Sequence, residues 1–233
     1  MSKPHDMVRD IGVALIIFAV AFNLPYIWLA VTFHYPEILR QPPDIILSAF
    51  NEGGPALILG WAFFALAALL FAPIAVAVGR VTNAPAGVAA LGVAAGITQA
   101  IGLSRWVYVV PGLAGNWAAA DDTMRPAIET IFMTLHQFAG VGIGEAIGQT
   151  LTGFWLVGVA ASQRRDPRYG RVLGWLGLTG GAVLILGLVE GLATVLEFEP
   201  GLFALAAMLG FLILTVWMIW TGLCCLRHTD PES

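Results

Sequence analysis

Six blocks of about twenty apolar residues, separated by short polar breaks, occupy most of this chain and leave it few folding options. A helix rises 1.5 Å per residue, so about twenty residues cross the ~30 Å hydrocarbon core of a bilayer. The blocks are residues 11–33, 55–78, 85–108, 138–161, 172–192 and 202–226. None offers a continuous polar face to water, which excludes a soluble domain. Only 11% of the residues are charged, less than half of the ~25% usual in soluble domains. The expected fold is therefore all-α: a polytopic integral membrane protein forming a single six-helix transmembrane domain over residues 1–233. No basic run points to nucleic acid.

Basic residues orient such a bundle, because cytoplasmic segments retain Lys and Arg. With the N-terminus inside, Lys3, Arg9, Arg80, Arg164, Arg165, Arg168, Arg171 and Arg227 fall inside, and only Arg40, Arg105 and Arg125 outside. Both termini are thus expected in the cytoplasm. Lys3 and Arg9 ahead of Ala19-Val20-Ala21 also resemble a signal peptide. Cleavage there would expose the remaining apolar stretch 22–33, so an uncleaved first span is expected. The adjacent Cys224 and Cys225 fall at the inner end of the last span. Neighbouring cysteines seldom reach disulfide geometry, so free thiols are expected, with acylation as the alternative.

Two outer connections carry structure of their own. In the first, Pro42-Pro43-Asp44 and Gly53-Gly54 are helix start and stop signals around an apolar face of Ile45, Ile46, Leu47 and Phe50. In the second, Thr123 is the expected N-cap. Ile128, Ile131, Phe132, Leu135, Phe138 and Ala139 recur at helical spacing behind it. With no proline between Ile128 and Ala161, the spacing predicts one long helix, 123–161, bent near its glycines. Interfacial anchor and binding lid are both open for this segment.

Polar residues inside spans are costly, so each is a candidate site. Here they are Asn23, Gln99, Arg105, Glu145, Gln149 and Glu190, with His136 near the outer surface. Depth counted along the spans gathers them into the outer half, which predicts an outward-facing polar pocket. Each also has a plainer role. Arg105 could snorkel to headgroups, Glu190 could be an interfacial carboxylate, and Asn23 and Gln99 could bridge helices. Glu145 is hardest to dismiss, since a carboxylate at that depth needs a partner or a proton. Arg105 is the basic residue nearest in depth. Gly140, Gly144 and Gly148 flank Glu145 at the small-residue spacing that lets helices approach closely.

His34 and His136 alone make a poor metal site. The chain also lacks His-Glu-x-x-His, G-x-S-x-G and a phosphate-cradling loop. No catalytic residues, metal or cofactor are therefore expected.

The stretches Tyr35-Pro36-Glu37-Ile38-Leu39 with Pro42-Pro43, Arg105-Trp106-Val107-Tyr108-Val109-Val110-Pro111, His136, Gly144-Glu145 and Gly174-Trp175-Leu176-Gly177 resemble a bacterial six-span family known as domain of unknown function 4386. The resemblance implies a multi-pass protein of the bacterial inner membrane and implies no activity. The expectation is a non-enzymatic binding or scaffold protein. Its partners would be the lipid bilayer, a small ligand or lipid, and another membrane protein or a second copy of itself. A transporter, an accessory subunit and an intramembrane enzyme remain alternatives.

Overall fold

The computed structural model describes residues 4–189, 196 and 201–227, and all regular structure among them is helical. Helix α1 spans Pro4–Phe33, and a 3-10 turn, Glu37–Arg40, leads to α2, Pro43–Val81. Helix α3 is Ala86–Tyr108, α4 Val110–Ala119 and α5 Arg125–Leu135. A π-helical segment, His136–Ile147, joins α5 to α6, Gly148–Gln163. Helices α7, Gly170–Leu186, and α8, Gly201–Arg227, complete the described chain.

The long helices form a closed ring in chain order. Helix α1 packs on α2, α2 on α3, α3 on α6, α6 on α7, α7 on α8, and α8 back on α1. Among the described residues, four stretches are long and apolar enough to cross a membrane: Asp6–Phe33, Pro43–Val81, Ala86–Ala119 and Leu205–Arg227. Gly170–Leu186 is a shorter apolar helix, capped at Gly187. The far end of the expected fifth span, with Glu190, lies outside the described residues.

Small residues set the closest approaches around the ring. On α1 and α8, a Cβ placed on Gly222 would meet the Gly12 carbonyl oxygen at 2.7 Å. On α6 and α7, Gly153 and Gly181 stand in the same relation, each 2.7 Å from the other's carbonyl oxygen.

Helix α2 starts and breaks where the sequence signals lie. Pro42 occupies its N-cap, Pro43 its first turn, and Asp44 adds an acidic residue there. At Gly54 the backbone turns to φ 56°, ψ −150° before Pro55. Only glycine adopts that conformation cheaply, so residues 43–53 form a separate amphipathic helix beside the long apolar one.

Residues 110–119 form a helix of their own at the start of the second connection. Two expectations for this connection need correction. Thr123 is not the cap: Asp121 Oδ1 instead accepts the backbone N–H groups of Thr123 (3.1 Å) and Met124 (3.0 Å). The apolar face also divides. Ile128 and Phe132 are buried, whereas Ile131 and Phe138 are exposed, as apolar side chains on a lipid-facing wall can be. The long helix itself is present, running without interruption from Arg125 to Gln163, but its glycine-rich middle is π-helical.

Two cores fill the ring and meet at Phe22. One gathers Leu15, Phe71, Trp155, Leu173 and Trp217 toward the 162–171 connector. There Arg168 Nη2 and the Tyr169 hydroxyl both donate to the Val81 carbonyl oxygen, at 3.1 and 3.0 Å. A hydrogen bond to Asp166 raises the Arg168 pKa, and burial raises that of the Tyr169 phenol. Cys224 and Cys225 are free thiols, both buried. The other core lies beneath the two long connections and is dominated by aromatic rings.

Candidate functional site

Arg105 stands one turn from the end of α3, at the end of the bundle that carries the long connections. It is only 6% exposed, so it neither snorkels to the surface nor lines an open cleft. Its Nη1 donates to the Gly102 carbonyl oxygen, one turn back in the same helix. Its Cζ lies 5.2 Å from the centre of the Trp106 ring. The π-helical backbone covers the guanidinium from above, where a Cβ on Gly140 would sit 2.4 Å from Cζ. Glu145, half-buried on the same π segment, interacts electrostatically with Arg105, as do Tyr35 and His136.

Small residues make this approach possible. Gly144 and Gly102 meet backbone to backbone, so that a Cβ on Gly102 would fall 2.6 Å from the Gly144 Cα. Below them Gly148 packs on Gln99. The three glycines spaced along residues 140–148 thus seat one wall directly on α3, which is what brings Glu145 to Arg105. π-Helical turns are rare and concentrate at functional sites.

An aromatic cluster built on Trp106 lies beside the guanidinium. Trp61 and Trp106 stack at 4.7 Å with an 11° interplanar angle. Tyr35 meets Trp61 edge-on at 5.2 Å, and His136 meets Trp106 edge-on at 6.2 Å. Phe33, Phe50 and Phe132 close the remaining sides of Trp106. Among the described residues, four buried nitrogens in this cluster have no hydrogen-bond partner: Arg105 Nε, His136 Nδ1, Trp61 Nε1 and Trp106 Nε1. A buried polar atom left in that state costs roughly 1–3 kcal/mol. Three of the four can only donate.

The other expected site residues lie apart from this cluster. Asn23 Nδ2 donates to the Ala19 carbonyl oxygen (2.7 Å) and to Thr215 Oγ1 (3.1 Å), tying α1 to α8. Gln99 Nε2 donates to Thr152 Oγ1 at 2.8 Å, tying α3 to α6. Gln149 Oε1 faces Gly187, 2.9 Å from where a Cβ there would stand. Asn23 and Gln99 are therefore interhelical braces. Gln99 and Thr152 border an internal cavity of about 10 Å³ among Phe18, Phe22, Phe71 and Phe211. That is room for about one water molecule, in surroundings that are almost wholly apolar. His34 is exposed, and no group of three or more potential metal-ligating side chains occurs among the described residues.

Some features escape a reading of the sequence. A surface cleft of about 360 Å³ lies between the amphipathic start of α2 and α4, lined by Asp44, Ser48, Glu52 and Trp117. Trp117 is fixed by a 2.8 Å hydrogen bond to Glu129 and by Arg125 over its ring. At the opposite end of the bundle Gln163, fully buried, donates to Thr221 Oγ1 at 3.1 Å and accepts from Trp217 Nε1 at 2.9 Å.

Neither a curated protein nor a solved structure matches this chain. The model of a family described as a domain of unknown function (DUF4386) matches residues 11–222, nearly the full length, and the chain belongs to that family.

Proposed function

We propose that this chain is a six-span, non-enzymatic protein of the bacterial cytoplasmic membrane, with both termini in the cytoplasm. Its role on this reading is to hold a small ligand or lipid at its outer end. One observation carries the reading: the buried Arg105 cluster exposes more hydrogen-bond donors to its interior than the fold satisfies. Native folds leave few such groups, and each calls for an explanation. Arg105, Glu145 and His136 form the site; Gln99 and Asn23 support it by joining helices, and Gln149 faces Gly187 instead. No cofactor is proposed. The buried network of Gln163, Thr221 and Trp217 weighs against transport, because polar groups at the far end pair with one another instead of lining a path.

Two measurements test this. Native mass spectrometry from mild detergent should show a co-purifying adduct on the wild type that is lost in Arg105→Gln and reduced in Glu145→Gln. An adduct unchanged in both variants would refute the site. A membrane-impermeant thiol reagent should reach Asn116→Cys from outside and Arg165→Cys only after the membrane is opened. The reverse pattern would overturn the orientation.

A further inference from the structure

The unmatched donors specify the chemistry of what binds, on the reading that the Arg105 cluster is a ligand site. We propose that it receives an uncharged carbonyl group, an ester or a ketone, accepting hydrogen bonds from Trp61, Trp106 and Arg105. Indole Nε1–H and guanidinium Nε–H are donors without acceptor capacity, and a carbonyl brings acceptor lone pairs and no donor of its own, its oxygen taking two of the three. The three residues lie together: Trp61 stacks on Trp106 at 4.7 Å, and the Arg105 Cζ is 5.2 Å from the Trp106 ring.

Charge decides against an anion. Glu145 already lies in the field of Arg105, so an anion would meet a carboxyl group beside the cation. An added carboxylate or phosphate would bring uncompensated negative charge into a site whose central side chain is 6% exposed. A carbonyl adds acceptors without adding charge.

Depth fits a lipid ester. Arg105 is three residues from Tyr108, which ends α3 and is 83% exposed. A span that ends there places the cluster just below the interface, where the hydrocarbon core gives way to the polar headgroup region. The wall over the cluster is the π segment together with α5, whose Phe138 and Ile131 face outward. Gly140 is the point where this wall touches the guanidinium. A ligand arriving from the lipid side enters by displacing that wall.

The test uses the full-length protein in detergent, titrated with mono-oleoylglycerol, triacetin and oleate and read as adducts by native mass spectrometry. Mono-oleoylglycerol should bind the wild type, and about tenfold more weakly in Trp61→Phe and in Trp106→Phe, each of which removes one donor and keeps a ring. Trp175→Phe, an exposed ring outside the cluster, is the control and should change nothing. If Trp106→Phe fails to fold, Trp61→Phe still decides. Triacetin binding with the same dependence would assign a soluble ester in place of a lipid. Mono-oleoylglycerol binding that is unchanged in both variants overturns the inference. So does oleate binding more tightly than the ester in an Arg105-dependent way, although the ligand site itself would then stand. Binding of all three probes indifferent to Arg105→Gln would remove the site as well.

Discussion

Gly102→Ala tests whether the contact between α3 and the π segment shapes the site. A Cβ at residue 102 would lie 2.6 Å from the Gly144 Cα and 3.0 Å from the Ala139 carbonyl oxygen, both backbone atoms that no rotamer change can clear. Ordinary contact begins near 3.4 Å, so the two segments must part by about 0.8 Å. Overpacking of this kind costs about 1–3 kcal/mol, partly offset by the gain of up to ~1 kcal/mol from replacing a helical glycine by alanine. A net loss of about 1–2 kcal/mol follows from these two effects.

The reciprocal change should be milder. At Gly144 the nearest atom is the Gly102 Cα at 3.0 Å, which asks for a shift of only about 0.4 Å. Gly115→Ala, in α4 with nothing near it, should be neutral or stabilising. Putting both methyl groups into one contact should cost more than the sum of the two single changes. Unfolding in mixed micelles titrated with a denaturing detergent measures all four. Equal stability of Gly102→Ala and Gly115→Ala would show that the backbone contact is not a constraint, and a larger loss in Gly144→Ala would show its geometry to be wrong.

The same assay checks two further sites. Arg105→Gln and Glu145→Gln should each destabilise, by about 1–3 kcal/mol, and the double variant by at least ~0.5 kcal/mol less than their sum; additive losses would reject the pairing. Trp217→Phe removes the donor to Gln163 Oε1 in a fully buried network, so a loss of about 1–3 kcal/mol is expected there, and none would contradict the network. Spin labels along 125–138 should report oxygen accessibility that rises at residue 131 and falls at 128 and 132, following the exposed Ile131 and the buried Ile128 and Phe132; a flat profile would refute the helix.

What could be read beforehand follows from how local each signal is. The break between 53 and 55 is written in Gly53-Gly54-Pro55, because one residue must take a positive φ and the next opens a helix. The seat of the fourth span on α3 is written in the spacing of Gly140, Gly144 and Gly148. The π geometry is not, since three glycines and small apolar neighbours tolerate either helix and the i→i+5 pattern leaves no periodic mark. The aromatic cluster was equally hidden. Phe33, Tyr35, Trp61, Trp106 and Phe132 are spread over α1, the turn after it, α2, α3 and α5, and no sequence spacing links them. Only closure of the ring brings them together. Depth alone placed Asn23, Gln99, Arg105 and Glu145 in one half, but depth does not say which way a side chain turns around its helix. That is why Asn23 and Gln99 resolve into braces while Arg105 and Glu145 come within electrostatic reach of each other.

The two ends of the bundle differ in how far their buried polar groups are paired, although Trp155 Nε1, in the core toward the 162–171 connector, is also unmatched. At the end near the 162–171 connector, Gln163, Thr221 and Trp217 satisfy one another, and Tyr169 and Arg168 both find the Val81 carbonyl oxygen. Those contacts pull α2, α6 and α8 together, and their work is complete within the fold. At the other end Asn23 and Gln99 do the same for α1, α3, α6 and α8, one turn or more below the aromatic cluster. Above them the pattern stops. A guanidinium, an imidazole and two indoles are buried with nitrogens that nothing in the described fold engages, behind a wall whose helical geometry is itself uncommon. Stability alone would favour phenylalanine at 61 and 106, because removing a buried unmatched donor gains what its desolvation costs. On the proposed reading, these groups are kept, at a cost to the fold, for a ligand that arrives from outside it.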